Sequence, residues 1–452
     1  MIVALPIEIS VREFISKLFC VYQILKNTNY RVVLGKKSEV YNFYKKNRGI
    51  YLISKGGTIN SFQFKNNISN NRLSILDEEG PLINFSYKSD FIARTNKEIM
   101  KKLSDYYCFG LADFNLMKTR INKKKLIISG HPKYDLCHNK YKKIFDKEKK
   151  ELSKKYGKFF LVASSFAAVD GYVNKKDYTK WIANSVENNL KKKMYKDLRS
   201  YFKYDQVYYD RLVKFTKKIA QQNPKINFIF RPHPRQDITK VKKNFNTKSI
   251  KNIFIIQEGS ITPYIYASEF YLHSGCTTAL EAALLKKKIV YLENNFKSAN
   301  VLYKKFGLVV KPSDYSKVKD LINNNKKYNY KKDFIKKFIF NDNKCFFYKV
   351  LIKNLKKVNL KSSEIVKQTH KEKHFFLSRL KEIISSYPPL LNLASFFIKD
   401  ILLSKEYTKS KFQKINIKEI EKKILFFQKL DNVKFNFKIK KVNLNSFIFE
   451  KL

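Results

Sequence analysis

The feature that most limits how this chain can fold is a rhythm that runs once and then starts again. Short apolar runs alternate with amphipathic stretches from the first residue: Ile2–Leu5, Tyr30–Leu34, Ile50–Ile53, Leu73–Leu76, Tyr106–Phe109 and Leu126–Ile128 read as strands. Helical spacing follows several of them, as in Val11–Leu25 and Glu39–Lys46. Strands separated by helix-length segments imply a parallel sheet covered by helices. A lysine-rich stretch, Lys140–Lys155, reads as a solvated helix or linker, and the rhythm restarts at Phe159–Ala163. A polar insertion over residues 170–204 interrupts it. A helix Tyr208–Gln222 and strands Asn227–Phe230, Ile253–Ile256, Phe270–Leu272, Ile289–Leu292 and Gly307–Val310 follow. Pro312-Ser313-Asp314 then reads as a helix start. The expected fold is α/β, with two Rossmann-like domains, 1–150 and 157–325, facing each other across a cleft. Residues 326–452 form a mostly helical, basic extension in this reading.

Neither half carries GxGxxG or GxxxxGK[ST], so dinucleotide oxidoreduction and P-loop phosphoryl transfer lose their main sequence support. The five cysteines are scattered without a CxxC or CxxH pair, which argues against a zinc site or a disulfide framework and suits the cytosol. Met1-Ile-Val-Ala-Leu-Pro6 lacks the basic and apolar regions of a signal peptide, and no run reaches the roughly 18 apolar residues of a membrane span. The formal charge is +55, which invites a nucleic-acid or membrane-surface partner. Abundant Lys, Asn, Ile, Tyr and Phe beside scarce Ala, Gly and Pro is also what an A/T-rich genome does to codon choice. Most of the excess lysine is read that way. RNP1-type aromatic modules are absent, so nucleic acid is not the expected partner.

Three constellations lie where strands end, which is where open α/β sheets bind ligands. In Phe228-Ile-Phe-Arg-Pro-His-Pro-Arg235 a strand runs into Arg231, His233 and Arg235, fixed by prolines and suited to donate to phosphate. The competing reading is a rigid loop whose histidine bonds the backbone. In Tyr271-Leu-His-Ser-Gly-Cys-Thr-Thr-Ala-Leu-Glu-Ala282 a small-residue turn opens a helix. Its exposed N–H groups, with Ser274, Thr277 and Thr278, offer a phosphate cradle. Glu281 either completes a capping box or binds a ribose hydroxyl. The third is Asp77-Glu78-Glu79-Gly80-Pro81, where mutual repulsion is expected to raise at least one pKa and create a proton acceptor. The alternative is a solvated acidic turn. Glu79 is the first choice of base because it adjoins the Gly80 turn. Ser164 and Ser165 end the first strand of the second domain and are placed for a nucleotide or sugar. Glu8, Arg12, His131 and Asp135 are weaker candidates for the acceptor side or the hinge.

In this order the pieces resemble the bacterial surface carbohydrate biosynthesis proteins. Leu5-Pro-Ile-Glu-Ile-Ser-Val-Arg-Glu13, Asp77–Gly80, Gly130-His-Pro-Lys-Tyr-Asp135, Arg231-Pro-His-Pro234 and His273–Glu281 carry the likeness, over about residues 1–310. The resemblance implies a GT-B fold and a glycosyltransferase. A more distant similarity is to bacterial sialyltransferases and Kdo transferases, which have an acidic D/E-D/E-G motif, an HP motif and a Ser/Thr pair. That similarity implies a base at Glu78 or Glu79, a phosphate ligand at His233 and a second phosphate contact at Thr277 or Thr278. It also implies a CMP-sugar donor carrying Kdo or a nonulosonic acid, a glycan or glycolipid acceptor, and neither cofactor nor catalytic metal. Retention through a carboxylate nucleophile stays open. The alternatives are a CDP-polyol phosphotransferase, a UDP-sugar enzyme, or a non-catalytic basic protein that binds a membrane or nucleic acid. In the extension, Phe375–Ile384 and Leu390–Leu403 are apolar on one side among lysines. They are expected either to lie on an anionic inner-membrane surface or to pack back on the domains.

Overall fold

The computed structural model describes residues 1–56, 70–80, 91–92, 94–95, 97–183, 188–245, 250–294, 307–323, 332–340, 346–360, 412–413 and 415–452. The stretches expected to form interfacial helices, Phe375–Ile384 and Leu390–Leu403, lie outside the described residues.

Apolar runs of four to six residues, rich in Val, Ile, Leu, Tyr and Phe, suit strands buried on both faces of a parallel sheet. They form one. Strands β1 (Ile2–Ile7), β2 (Arg31–Lys36), β3 (Ile50–Lys55), β4 (Arg72–Leu76), β5 (Asp105–Cys108) and β6 (Leu126–Ile128) are mutually parallel, in the order β2-β1-β3-β4-β5-β6. Strands β7 (Phe159–Ala163), β8 (Asn227–Arg231), β9 (Ile253–Ile255), β10 (Phe270–His273), β11 (Lys288–Leu292) and β12 (Leu308–Val310) make a second parallel sheet, β12-β11-β10-β7-β8-β9. The strand pleat sends neighbouring side chains to opposite faces, so each sheet sits between two cores. Val3, Leu5 and Ile7 enter one core and Ile2 and Ala4 another. Phe159 and Leu161 face one side of the second sheet, and Phe160 and Val162 the other. This is the expected two-Rossmann, GT-B-like arrangement.

The strand order reverses beside β1 in the first sheet and beside β7 in the second. Ligand crevices open at such switch points, beyond the carboxyl ends of the strands. The residues that follow these strands are therefore the candidates for a site. A shared apolar seam holds the units together: Phe109, Ala112 and Tyr134 pack with Tyr271, Leu280 and Phe338. The Phe340 N–H donates to the Phe109 carbonyl at 2.6 Å.

The extension returns to the first unit. The helix Phe347–Leu355 starts over Asp135, whose carboxylate accepts the Phe347 and Tyr348 N–H groups at 3.1 and 3.2 Å. The helix Ile417–Asp431 packs on the helix Ser10–Asn27, and Asp431 accepts from Tyr22, Lys26 and Tyr141 with its side chain fully buried. The helical expectation holds for these segments and fails for Phe437–Lys451. Strands β13 (Phe437–Asn443) and β14 (Ser446–Lys451) form an antiparallel hairpin, and β14 pairs antiparallel with β2, which lengthens the first sheet to eight strands. The insertion at 170–204 is also helical. It holds the helix Lys175–Ala183 and the first half of a 35-residue helix, Asn188–Gln222.

Candidate functional site

On the first wall of the cleft, the acidic turn after β4 is three different environments rather than one repelling cluster. Asp77 is buried, takes both oxygens to Arg94 Nη2 at 2.7 Å, and accepts the Glu79 N–H at 2.8 Å. Glu78 is buried beside Lys17 Nζ at 2.9 Å and His131 Nε2 at 3.2 Å. Only Glu79 reaches the cleft. Its side chain is 41% exposed, with Arg94 at 2.8 Å and Arg12 at 3.7 Å. The expected rise in pKa is therefore reversed. Burial alone would raise Glu78, but Lys17 and His131 outweigh it and hold the carboxyl well below the usual range. For Glu79 burial is likewise overcome, by Arg94, Lys55, Arg12 and Arg235. Compensation between unlike charges has replaced repulsion between like ones.

The weaker first-wall candidates divide. Arg12 points at Glu79 and is held by Glu13, which also accepts the Glu8 and Ile9 N–H groups and so caps the helix it opens. Glu8 pairs with Lys55 and with Lys37. His131 is buried, stacked on Phe109 at 5.1 Å, and its Nδ1 accepts the Lys133 N–H. Burial lowers its pKa to about 4 against the pull of Glu78, so the ring is neutral with its proton on Nε2, toward Glu78. Asp135 caps the extension helix and does not face the cleft. Burial pushes it up to about 8, opposed by the two N–H groups it accepts.

The second wall is built by the loop after β8. Arg231 is buried and donates to the carbonyls of Glu258 (2.5 Å) and Gly259 (2.6 Å), with its guanidinium over the Tyr264 ring. It ties two loops together. Desolvation lowers it to about 10, still cationic at neutral pH. His233 is different. Its N–H donates to Gln236 Oε1 and its Nδ1 accepts the Arg235 N–H, which leaves the proton on Nε2. Among the described residues no hydrogen bond is made to that Nε2. Burial pulls the imidazole down to about 3, aided by Arg235 and Arg12 and opposed by Glu79. Arg12 and Glu79 act on His233, and Arg235 acts on Glu79, so the loop after β8 lies close to the acidic turn of the first unit. Arg235 donates to Tyr178 Oη at 3.2 Å and lies over that ring.

The loop is rigid because Gln236 and Gln257 thread it. Gln236 Oε1 also accepts the Ser164 hydroxyl at 2.7 Å, and Gln257 Nε2 donates to the carbonyls of His233 and Gln236. Ser164 thus serves the loop, whereas Ser165 is half-buried at the strand end. The turn after β10 is similarly self-contained. His273 Nδ1 accepts the Gly275 and Cys276 N–H groups, Ser274 donates to the Leu292 carbonyl, and Thr278 bonds Tyr271 Oη. Gly275 takes φ +109°, which glycine adopts freely. Glu281 is buried and accepts from Thr262 at 3.1 Å, with its pKa raised by burial, so neither a capping box nor an open ribose contact describes it. Thr277 is half-buried at the turn.

Glu79, Arg12, His233 and Arg235 are thus brought to the cleft, with Thr277 and Ser165 at neighbouring strand ends. Arg231, Ser164, Ser274, Thr278, Glu281 and Asp135 are engaged by their own chain. Sequence reasoning missed Lys17, Lys55, Arg94, Gln236 and Gln257. Lys17 alone left a signal, as a lysine on the apolar side of a helix. Among the described residues, no group of three or more His, Cys, Asp or Glu is arranged to hold a metal ion.

A cavity of about 510 Å³ is walled by the start of the helix Ser10–Asn27, the helix Asp146–Tyr156, the loop held by Arg231, and Gln413, Ile415, Glu419 and Lys423. Phe14, Leu152, Tyr156 and Tyr264 line it, with four carboxylates (Glu148, Glu151, Glu258, Glu419) against two lysines (Lys155, Lys423).

No known family's sequence profile matches the chain, and no curated protein matches it. Among solved structures it is similar to the UDP-GlcNAc 2-epimerase of Methanocaldococcus jannaschii, with 15% identity, TM-score 0.48, and 79% of this chain and 100% of that one covered. It is also similar to the corresponding Neisseria meningitidis epimerase (12%, 0.46, 79% and 100%) and to the wall teichoic acid polymerase TagF (12%, 0.49, 79% and 90%). The fold stated above rests on the chain's own two sheets.

Proposed function

We propose that this protein is a glycosyltransferase of surface polysaccharide or glycolipid synthesis, using a nucleotide-sugar donor whose phosphate sits at His233 and Arg235. The observation that supports this reading is His233 itself: a neutral imidazole whose Nδ1 is held by the Arg235 N–H, whose Nε2–H meets no acceptor among the described residues, and which Glu79 and Arg12 of the first unit influence. A neutral N–H beside an arginine is suited to hold a departing phosphate by hydrogen bonding, without transferring its proton. Thr277 and Ser165 stand at adjacent strand ends to complete that wall.

Glu79 is the carboxylate offered to the acceptor hydroxyl. Alone it is a weak base, because four cations hold its pKa down. An anionic donor between the walls would draw Arg235 and Arg12 toward its phosphate, and Glu79 would then take a proton more readily. Donor binding thereby switches on the base. An acidic sugar on CMP fits the same cationic wall, and the resemblance of the acidic, HP and Thr motifs to CMP-dependent enzymes favours it. The neighbouring cavity, with more carboxylates than lysines, suits an uncharged, hydroxyl-bearing part of a substrate rather than phosphate.

Purified protein is to be incubated separately with CMP-Kdo, CMP-sialic acid, CDP-glycerol and UDP-sugars, with lipid-linked acceptors. Turnover with the CMP donors, lost about 10²–10⁴-fold in Glu79→Gln, is expected. Turnover with CDP-glycerol or UDP-sugars alone would overturn the donor assignment, and wild-type turnover in Glu79→Gln would remove Glu79 as the base.

A further inference from the structure

The 35-residue helix Asn188–Gln222 would span roughly 52 Å at 1.5 Å per residue. Its second half is an ordinary core helix, with Tyr209, Leu212 and Phe215 buried against the second sheet. Its first half leaves that core. There Met194 and Leu198 form a small separate cluster with Tyr178, Ile182 and Phe202 from the helical arm. The arm buries just enough apolar surface to hold itself together, and turns its other face outward.

That face has an organised chemistry. Lys192, Lys193, Lys196, Arg199 and Lys203 are all exposed. Three of the six large hydrophobic side chains exposed among the described residues, Tyr195 (40%), Tyr204 (46%) and Val207 (40%), lie among them. At about 100° per residue these eight positions fall within one half of the helix circumference, with Tyr195 and Tyr204 at its two edges. Met194, Leu198 and Asp205 occupy the opposite half, and Asp205 is buried. Codon bias can supply lysines, but it does not sort them onto one face between two tyrosines.

We propose that this face docks on an anionic lipid surface. One continuous face of a single helix can lie along a plane. Lysine stems extend their charge to headgroups while the tyrosines and Val207 enter the interfacial layer, where amphipathic rings are favoured. A nucleic-acid backbone would engage the lysines and offer nothing to Val207. The arm is also tied to the site, since Tyr178 accepts from Arg235 on the loop that carries His233. Docking thus brings the cleft to the membrane, where a lipid-linked acceptor would be found; this deepens the reading above without depending on its donor.

The test is co-sedimentation of the full chain with vesicles of phosphatidylcholine, with and without about one-third phosphatidylglycerol, at low and high salt. No donor is present, so failure here is separate from failure of the transfer reading. The wild type binds the anionic vesicles, and salt weakens it. Lys192→Glu, Lys196→Glu, Arg199→Glu and Lys203→Glu together reduce binding at least about tenfold. Tyr195→Ser with Tyr204→Ser reduces it severalfold while leaving the salt dependence. All sites are exposed, and unchanged circular dichroism and melting temperature confirm folding. Absence of vesicle binding by the wild type, or undiminished binding by the fourfold variant, overturns the proposal. So does loss of duplex-DNA binding by that variant with vesicle binding intact.

Discussion

Replacing Lys17 by methionine isolates the buried charge behind the acidic turn. The Lys17 and Glu78 side chains are 1% and 2% exposed, with 2.9 Å between Nζ and the carboxylate. The other neighbour, His131 Nε2 at 3.2 Å, is neutral near pH 7. The thioether in place of the ammonium would leave the carboxylate in an apolar site with one neutral donor. Removing one partner of a buried pair costs about 3–5 kcal/mol, a large share of a typical domain's stability. Lys17→Met with Glu78→Gln removes both charges and keeps an amide facing His131. It is expected to recover at least about 2 kcal/mol of that loss. The two states also differ in pH dependence. In the wild type the folded Glu78 pKa is depressed, so its contribution is present above the ordinary carboxylate value and is lost as pH falls through the folded value. In Lys17→Met burial acts unopposed by the lysine, the folded pKa rises above the ordinary value, and the deficit shrinks as pH falls through it. Urea unfolding followed by circular dichroism at half-unit steps from pH 2.5 to 8 reads both effects. A single-variant cost below about 1 kcal/mol, or a double variant as unstable as the single, would refute the account.

Three further outcomes separate site from scaffold. His233→Ala is expected to weaken calorimetric CMP binding by about 1.5–3 kcal/mol in a protein that still folds, with a stability loss of only about 1 kcal/mol from the Nδ1 contact to the Arg235 N–H. Arg231→Ala should do the reverse in emphasis: it unties the carbonyls of Glu258 and Gly259, so chemical denaturation should register a loss of about 1.5–3 kcal/mol. Asp431→Asn should loosen the extension. Asp431 sits at about 2, burial being outweighed by Lys140, Lys26 and Tyr22, so its contribution is complete above the ordinary carboxylate value and disappears toward pH 2. A melting-temperature series from pH 6 to 2.5 should show a shallower acid limb in the variant than in the wild type, with the gap between the two closing toward pH 2.5.

The strands are legible because each is a local apolar run that stops where a polar residue begins. Phe159–Ala163 and Leu126–Ile128 match to the residue, and most others to within two at either end. The β13–β14 hairpin is not, although Phe435, Phe437 and Ile439 alternate with polar residues. Its lysines resemble those of the flanking helices, and its partner β2 lies some four hundred residues away, a pairing that local pattern cannot register. The insertion reads as polar because its apolar residues satisfy only a small local cluster. At the site, position is legible and state is not. Strand ends announce Glu79 and His233, whereas the cations that hold Glu79 ionised come from elsewhere in the chain: Arg94 from beyond the turn, Lys55 from the end of β3, Arg12 from the first helix and Arg235 from the other unit.

This bears on which charges carry information in so basic a protein. With 93 Lys and Arg against 38 Asp and Glu, nearly every exposed carboxylate will find a cation, and such pairs contribute little. Lys147–Glu151, 3.9 Å apart with both side chains mostly exposed, is of that kind. Lys17–Glu78 and Arg94–Asp77 are not, because each charge has been taken out of water and must be compensated there. Those pairs fix the first wall and leave Glu79 as the one member of the acidic turn with substantial exposure. Arg231 does the same for the second wall by anchoring the Glu258–Gly259 loop, which leaves His233 as the donor without a hydrogen-bond acceptor among the described residues. The functional reading therefore rests on Glu79, the exposed carboxylate that Arg94 and Arg12 hold in place, and on His233, whose Nε2–H meets no acceptor among the described residues; a transfer reaction needs such a carboxylate and such a donor close together.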